Sequence, residues 1–251
     1  MKPETRNQKP ETNTNKKVPN PQKHSFGFSA FVFFGFFSGF WFLISGFAFP
    51  PTIHAAAPIA PLYANDFEKV PEGDPPADVV VLGGAFSIKK VDGNTVLELP
   101  GNPVQGYGVL FGPEGQSFLG VSARIYGTAS GKRTPEFGVG LADTNGYKLW
   151  VMPSTGELQI LKGEDVKATV PFTWKSGTWT VLRLQVRKIG EGKYSVDGKA
   201  WEHGKEEPKD WMVSFAETEE PPKGRPSAWG SPYSSTPIRF DDFAVTKVGE
   251  E

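Results

Sequence analysis

Phe137-Gly138-Val139-Gly140-Leu141 and Tyr147-Lys148-Leu149-Trp150-Val151, separated by a segment that ends in Asn145-Gly146, decide the fold of this chain. In each stretch a large apolar residue occupies every second position. A period of two sends one row of side chains into a core and the other row outward, which is the pattern of a strand and not of a helix. Asn-Gly between two such runs signals a hairpin turn. The alternation recurs on both sides. Val121, Ala123 and Ile125 alternate with Ser122, Arg124 and Tyr126, and Leu182, Leu184 and Val186 alternate with Arg183, Gln185 and Arg187. Turn sequences separate the runs: Asp92-Gly93-Asn94, Ser154-Thr155-Gly156, Lys162-Gly163-Glu164-Asp165 and Asp197-Gly198. Further strands are predicted over Ala64–Glu68, Trp211–Phe215 and Ile238–Val248, with the rest of 205–232 read as loop. No stretch carries a long 3.6-residue period, so the crossover helices that a parallel sheet needs are missing. The predicted fold is all-β: an antiparallel β-sandwich of jelly-roll type over residues 64–251.

The chain changes character before this domain. Residues 1–24 carry Lys2, Arg6, Lys9, Lys16, Lys17 and Lys23 against Glu4 and Glu11. So polar a segment buries too little apolar surface to offset its ordering entropy and is predicted to be a disordered tail. Residues 25–49 are uncharged, and 11 of the 24 residues from Phe26 to Phe49 are Phe. A run of that length spans ~30 Å of hydrocarbon as one helix. Its basic flank is N-terminal, which places the tail in the cytoplasm and everything that follows outside. Two readings stand side by side. The run exceeds the usual signal-peptide core, which favours a membrane anchor through Phe26–Phe49. Four glycines and the small residues of the Pro/Ala-rich segment 50–63 favour cleavage.

The exported part excludes several chemistries. Of 27 basic and 28 acidic residues, six and two precede Asn65, which leaves 21 against 26. That acidic balance argues against nucleic acid as a partner. There is no cysteine, and one histidine, His203, in this part; thiol catalysis, disulfides and a histidine-built zinc site are unsupported.

Three stretches carry a resemblance: Asn65-Asp66-Phe67-Glu68 with Gly93-Asn94-Thr95-Val96-Leu97-Glu98-Leu99; Tyr147–Val151 with Gly156–Gly163; and Pro237-Ile238-Arg239-Phe240-Asp241-Asp242-Phe243-Ala244-Val245. Together the sequence resembles the concanavalin A-like lectin/glucanase superfamily, in its laminin-G-like secreted bacterial form. The resemblance implies a fold shared by lectins, carbohydrate-binding modules, hydrolases and adhesion domains, so it leaves function open. Glucanases of this group carry Glu-x-Asp-x-x-Glu on one strand; here Glu72-Gly73-Asp74 begins the pattern, but Ala77 ends it. The reading is a non-catalytic domain outside the membrane that binds a glycan or a cell-envelope component. A glycoside-processing enzyme of the 3-keto-disaccharide hydrolase type and a purely structural envelope protein are the alternatives.

Candidate sites follow from strand parity. Arg124, Lys148, Trp150, Arg183 and Gln185 occupy the non-core parity of their strands. On one concave face an aromatic ring and planar polar groups there would meet a sugar, while the plainer reading is a solvated outer face. Trp229-Gly230-Ser231-Pro232-Tyr233 is predicted as a loop at the rim, with Trp229 and Tyr233 as ligand contacts. If the first and last strands pair, Asp66 and Glu68 approach Asp242, which shares the parity of Phe240 and would point inward. Carboxylates grouped there suit a structural Ca²⁺ of the kind such sandwiches hold. The alternative is that Asp241 and Asp242 cap a turn or accept from backbone amides.

Overall fold

A computed structural model describes residues 60–114 and 118–248. The predicted tail, the hydrophobic segment and most of the linker lie outside the described residues. The described chain contains no α-helix; it forms strands β1 (Tyr63–Asn65), β2 (Val80–Val81), β3 (Ser87–Val91), β4 (Asn94–Leu99), β5 (Tyr107–Leu110), β6 (Leu119–Tyr126), β7 (Glu136–Leu141), β8 (Tyr147–Met152), β9 (Glu157–Lys162), β10 (Asp165–Pro171), β11 (Trp179–Gly190), β12 (Lys193–Glu202), β13 (Val213–Glu217), β14 (Ser227–Ser231) and β15 (Ile238–Lys247).

All pairings are antiparallel. Sheet I runs β13-β12-β11-β6-β15-β4-β3, with β1 also on β15; sheet II runs β10-β9-β8-β7-β14-β5-β2. The alternation seen in the sequence is the division between core and surface. Val121, Ile125, Leu182 and Leu184 of sheet I meet Phe137, Val139, Leu149 and Val151 of sheet II in one core, each fully shielded from solvent. Truncating such a residue to Ala costs roughly 2–5 kcal/mol.

The first and last described strands do lie side by side: Tyr63 pairs with Val245 and Asn65 with Phe243. β15 is the hub of sheet I. One edge pairs with β6 throughout, while the other serves β4 over Ile238–Phe240 and β1 over Phe243–Val245. The change of partner is made at a bulge, where the register slips between Asp241 and Ala244 and Asp242 adopts φ 50°. A bulge adds a residue and so resets side-chain parity. It corrects the expectation that Asp242 points inward: Asp242 is 50% exposed, and Asp241 is the buried carboxylate. The region 205–232 holds two strands rather than one, and Trp229 sits in the middle of β14 instead of in a loop.

Candidate functional site

The outward row of sheet I builds a groove. Strand register sets Glu98, Arg239, Tyr126 and Trp179 side by side on β4, β15, β6 and β11. Asp241 and Arg124 form the next row on β15 and β6. The groove is about 300 Å³ and is lined by Val91, Asp92, Asn94, Val96, Arg124, Tyr126, Trp179 and Arg239. That is at the small end of the range for ligand sites.

Its side chains are locked by charge and ring contacts. Nε of Arg239 lies 2.9 Å from Oε2 of Glu98, and its guanidinium lies 5.4 Å from the centre of the Tyr126 ring. Tyr126 and Trp179 pack with centroids 5.5 Å apart, and Arg124 lies 4.9 Å from the centre of Trp179. Such cation–ring contacts fix both partners. Beneath them Asp241 is wholly buried. Nη2 of Arg124 donates to its Oδ2 at 2.7 Å, Asn94 Nδ2 donates to the same oxygen at 2.7 Å, and the Asp242 amide donates to Oδ1 at 2.7 Å. Burial pushes the Asp241 carboxyl above its ordinary value, against the pull of Asn94, the Asp242 amide and the Arg124 charge. The result is a rigid floor that presents two aromatic rings, an amide and two guanidinium groups to solvent.

The predicted site residues divide between the two outer faces. Arg124, Arg183 and Gln185 share the outer face of sheet I, but only Arg124 lines the groove. Arg183 donates to Glu207 at 2.7 Å, and Gln185 donates to the buried Asp197 at 3.1 Å. Lys148, Trp150 and Trp229 stand on the outer face of sheet II instead. Parity alone cannot say which sheet a strand joins, and here it merged two opposite surfaces into one. Tyr233 is exposed in the turn after β14, where its amide donates to Ser231 O.

Of the acids expected around Ca²⁺, Glu68 is turned to Thr95 and Asp242 to Arg124. Glu68 accepts from the Thr95 amide at 3.0 Å and from its hydroxyl at 3.3 Å. Asp242 faces Arg124 Nε at 2.9 Å. Asp66 and Asp242 border one hollow, but Lys69 borders it too. No group of three His, Asp or Glu side chains among the described residues is arranged for a metal ion.

The sequence reading passed over Asn94, Tyr126, Trp179 and Arg239 as site residues. Tyr126 shares the parity of Arg124, and Arg239 lies between the core residues Ile238 and Phe240. Both signals were present, but only the pairing of β15 with β6 and β4 joins them.

No protein-family model matches the chain, and no curated protein matches it. Solved structures do. A protein of unknown function with a galectin-like fold from Bacillus subtilis superposes with TM-score 0.52 at 12% identity, covering 76% of this chain and 98% of that one. The fold is galectin-like. The concanavalin A-like resemblance read from the sequence agrees with it at the level of architecture. The chain is also similar to the carbohydrate-binding module CBM66 of Bacillus subtilis (TM-score 0.46, 9% identity, 68% of this chain and 96% of that one). A third likeness is the CBM2 module of the evolved Dit protein of Lactobacillus casei BL23 phage J-1 (TM-score 0.48, 10% identity, 74% and 94%).

Proposed function

We propose that this chain is a carbohydrate-binding β-sandwich that receives a short glycan segment in the groove of sheet I. One observation carries the reading: Tyr126 and Trp179 adjoin Arg124, Arg239 and Asn94 in a single groove whose floor is locked from below. Sugars present apolar C–H faces and a rim of hydroxyls. Aromatic rings take the first, and planar bidentate donors take the second. Preorganisation of this kind lowers the ordering cost that otherwise weakens small-ligand binding. The galectin-like architecture is compatible with this use without specifying it.

The Phe26–Phe49 run supports a placement outside the membrane, where a glycan or another envelope component is the partner at hand. Binding of the purified full-length chain to an immobilised glycan array tests the reading. Selective retention of a saccharide class, lost in Arg239→Ala, is expected. No saccharide binding, or retention indifferent to Arg239→Ala, would overturn it. Mass-spectrometric determination of the mature N-terminus tests the placement: a terminus within 50–63 indicates an exported, cleaved protein, and an intact Met1 on a chain that stays in the soluble fraction refutes export.

A further inference from the structure

The opposite face of the sandwich carries a second aromatic arrangement that the groove does not use. On the outside of sheet II, strand register places Trp229, Gly138, Trp150 and Gln159 in one row across β14, β7, β8 and β9. Trp229 also pairs with Gly108 of β5. Each tryptophan is seated on a glycine of a neighbouring strand. A methyl group on Gly108 would fall 2.5 to 2.7 Å from three atoms of the Trp229 ring, nearly equidistant from them, so the indole meets Gly108 face-on. A methyl on Gly138 would fall 2.7 Å from Cε3 of Trp150. Gly108 lets the Trp229 indole lie flat on the sheet, Gly138 admits Cε3 of Trp150, and both rings reach toward β5.

The polar edges of the rings are held within the protein. Trp229 Nε1 donates to Ser227 Oγ at 2.8 Å, and Trp150 Nε1 donates to Glu136 Oε2 at 3.4 Å. Lys148 reaches over the Trp229 ring, with Nζ 4.4 Å from its centre. The two tryptophans are two strand spacings apart, roughly 10 Å, which is the reach of a disaccharide unit. Lys148 and Glu136 each engage an indole, and Glu157 accepts from Gln159 at 2.9 Å at the end of the row.

We propose that this row is a second carbohydrate-contact surface, on which Trp150 takes a pyranose face of an extended, neutral glycan chain and Lys148, lying over Trp229, donates to its hydroxyls. Packing alone would account for an aromatic ring covering a strand glycine. It does not account for two rings repeated in one row, each fixed by its own N–H, on an outward face where both remain partly exposed. The two acids argue for a neutral glycan over a uronate polymer, since an acidic chain would meet Glu136 beside Trp150 and Glu157 beside Gln159. Because the groove and the platform lie on opposite outer faces, one domain would contact two glycan chains at once.

The test uses the full-length chain in detergent, with insoluble cellulose and chitin as probes. Retention on at least one of the two is expected. Trp150→Leu, which keeps apolar volume but removes the flat ring, should cut retention at least tenfold. Trp150→Tyr should stay within about threefold of the parent, and His203→Ala, in an exposed turn outside both surfaces, should leave this retention unchanged. Thermal melts confirm that each variant is folded. The proposal is overturned if the parent chain is retained on neither matrix, if Trp150→Leu is retained as well as Trp150→Tyr, or if His203→Ala abolishes retention on both.

Discussion

Nη2 of Arg124 lies 2.7 Å from Oδ2 of Asp241, a carboxylate with no solvent exposure, and the same guanidinium lies 4.9 Å from the centre of the Trp179 ring. One side chain thus neutralises a buried charge and orients the wall of the groove. Removing one member of a buried pair strands the other, at roughly 3–5 kcal/mol. Arg124→Leu should lower stability by about that much in urea titrations. The double variant R124L/D241L, which leaves neither charge, should recover at least half of the loss. A single variant within about 1 kcal/mol of the parent would show that the pair is not structural.

Trp179 should contribute to binding more than to folding, because it is partly exposed and rests on Tyr126 and Arg124. Trp179→Ala is expected to weaken binding of an array-identified saccharide about tenfold, equivalent to about 1.4 kcal/mol. Its Tm should fall by only a few degrees. Unchanged affinity in calorimetry would place the sugar elsewhere.

Acid should loosen the end of the sandwich where β8, β9 and β13 meet. Burial opposes ionisation of Glu217, but hydrogen bonds from Lys162, the Glu219 and Thr218 amides and the Tyr147 hydroxyl outweigh it and hold the carboxyl down to about 2. A depressed carboxyl stabilises the fold above its unfolded value near 4.5 and loses that contribution as pH falls toward 2. The contribution is on the order of 3 kcal/mol. Melting curves from pH 6 to pH 2 should show this loss, and Glu217→Gln should flatten it. An identical pH dependence in the variant would assign acid sensitivity to other groups.

Glycines on the sheet II face should be intolerant where backbone blocks a side chain. A methyl on Gly138 would sit 2.3 Å from Leu149 O, whereas one on Gly190 would meet nothing nearer than 3.8 Å. Gly138→Ala should cost roughly 1–3 kcal/mol by overpacking, and Gly190→Ala should be near neutral. Equal stability of the two variants in chemical denaturation would refute the close approach.

Chelation separates the two readings of the terminal acids. With Glu68 engaged by Thr95 and Asp242 by Arg124, EDTA should leave Tm unchanged. A drop of several degrees, reversed by Ca²⁺, would show that an ion does hold the ends together.

Much of this architecture is legible in the residues. Alternation along Val121–Tyr126, Phe137–Leu141, Tyr147–Val151 and Leu182–Arg187 determines strands, and with them which side chains enter the core, because a strand's two faces are set by local backbone geometry. The lack of helical periodicity determines an antiparallel sandwich. The pairing of the first and last strands of the domain is legible as well. Gly230 and Pro232 are loop-favouring residues and predict a loop at Trp229, but the pairing of β14 between β7 and β5 holds it in a strand.

What the sequence by itself could not determine is which outward residues become neighbours. Arg124 and Trp150 have the same parity, yet they face opposite sides of the domain, because strand order is set by pairing between segments distant in the chain. Asp241 and Asp242 are adjacent, yet only the first is buried, because β15 bulges where it exchanges β4 for β1. Alternation is a property of each strand alone. The groove and the tryptophan row exist only in the registers that join one strand to the next.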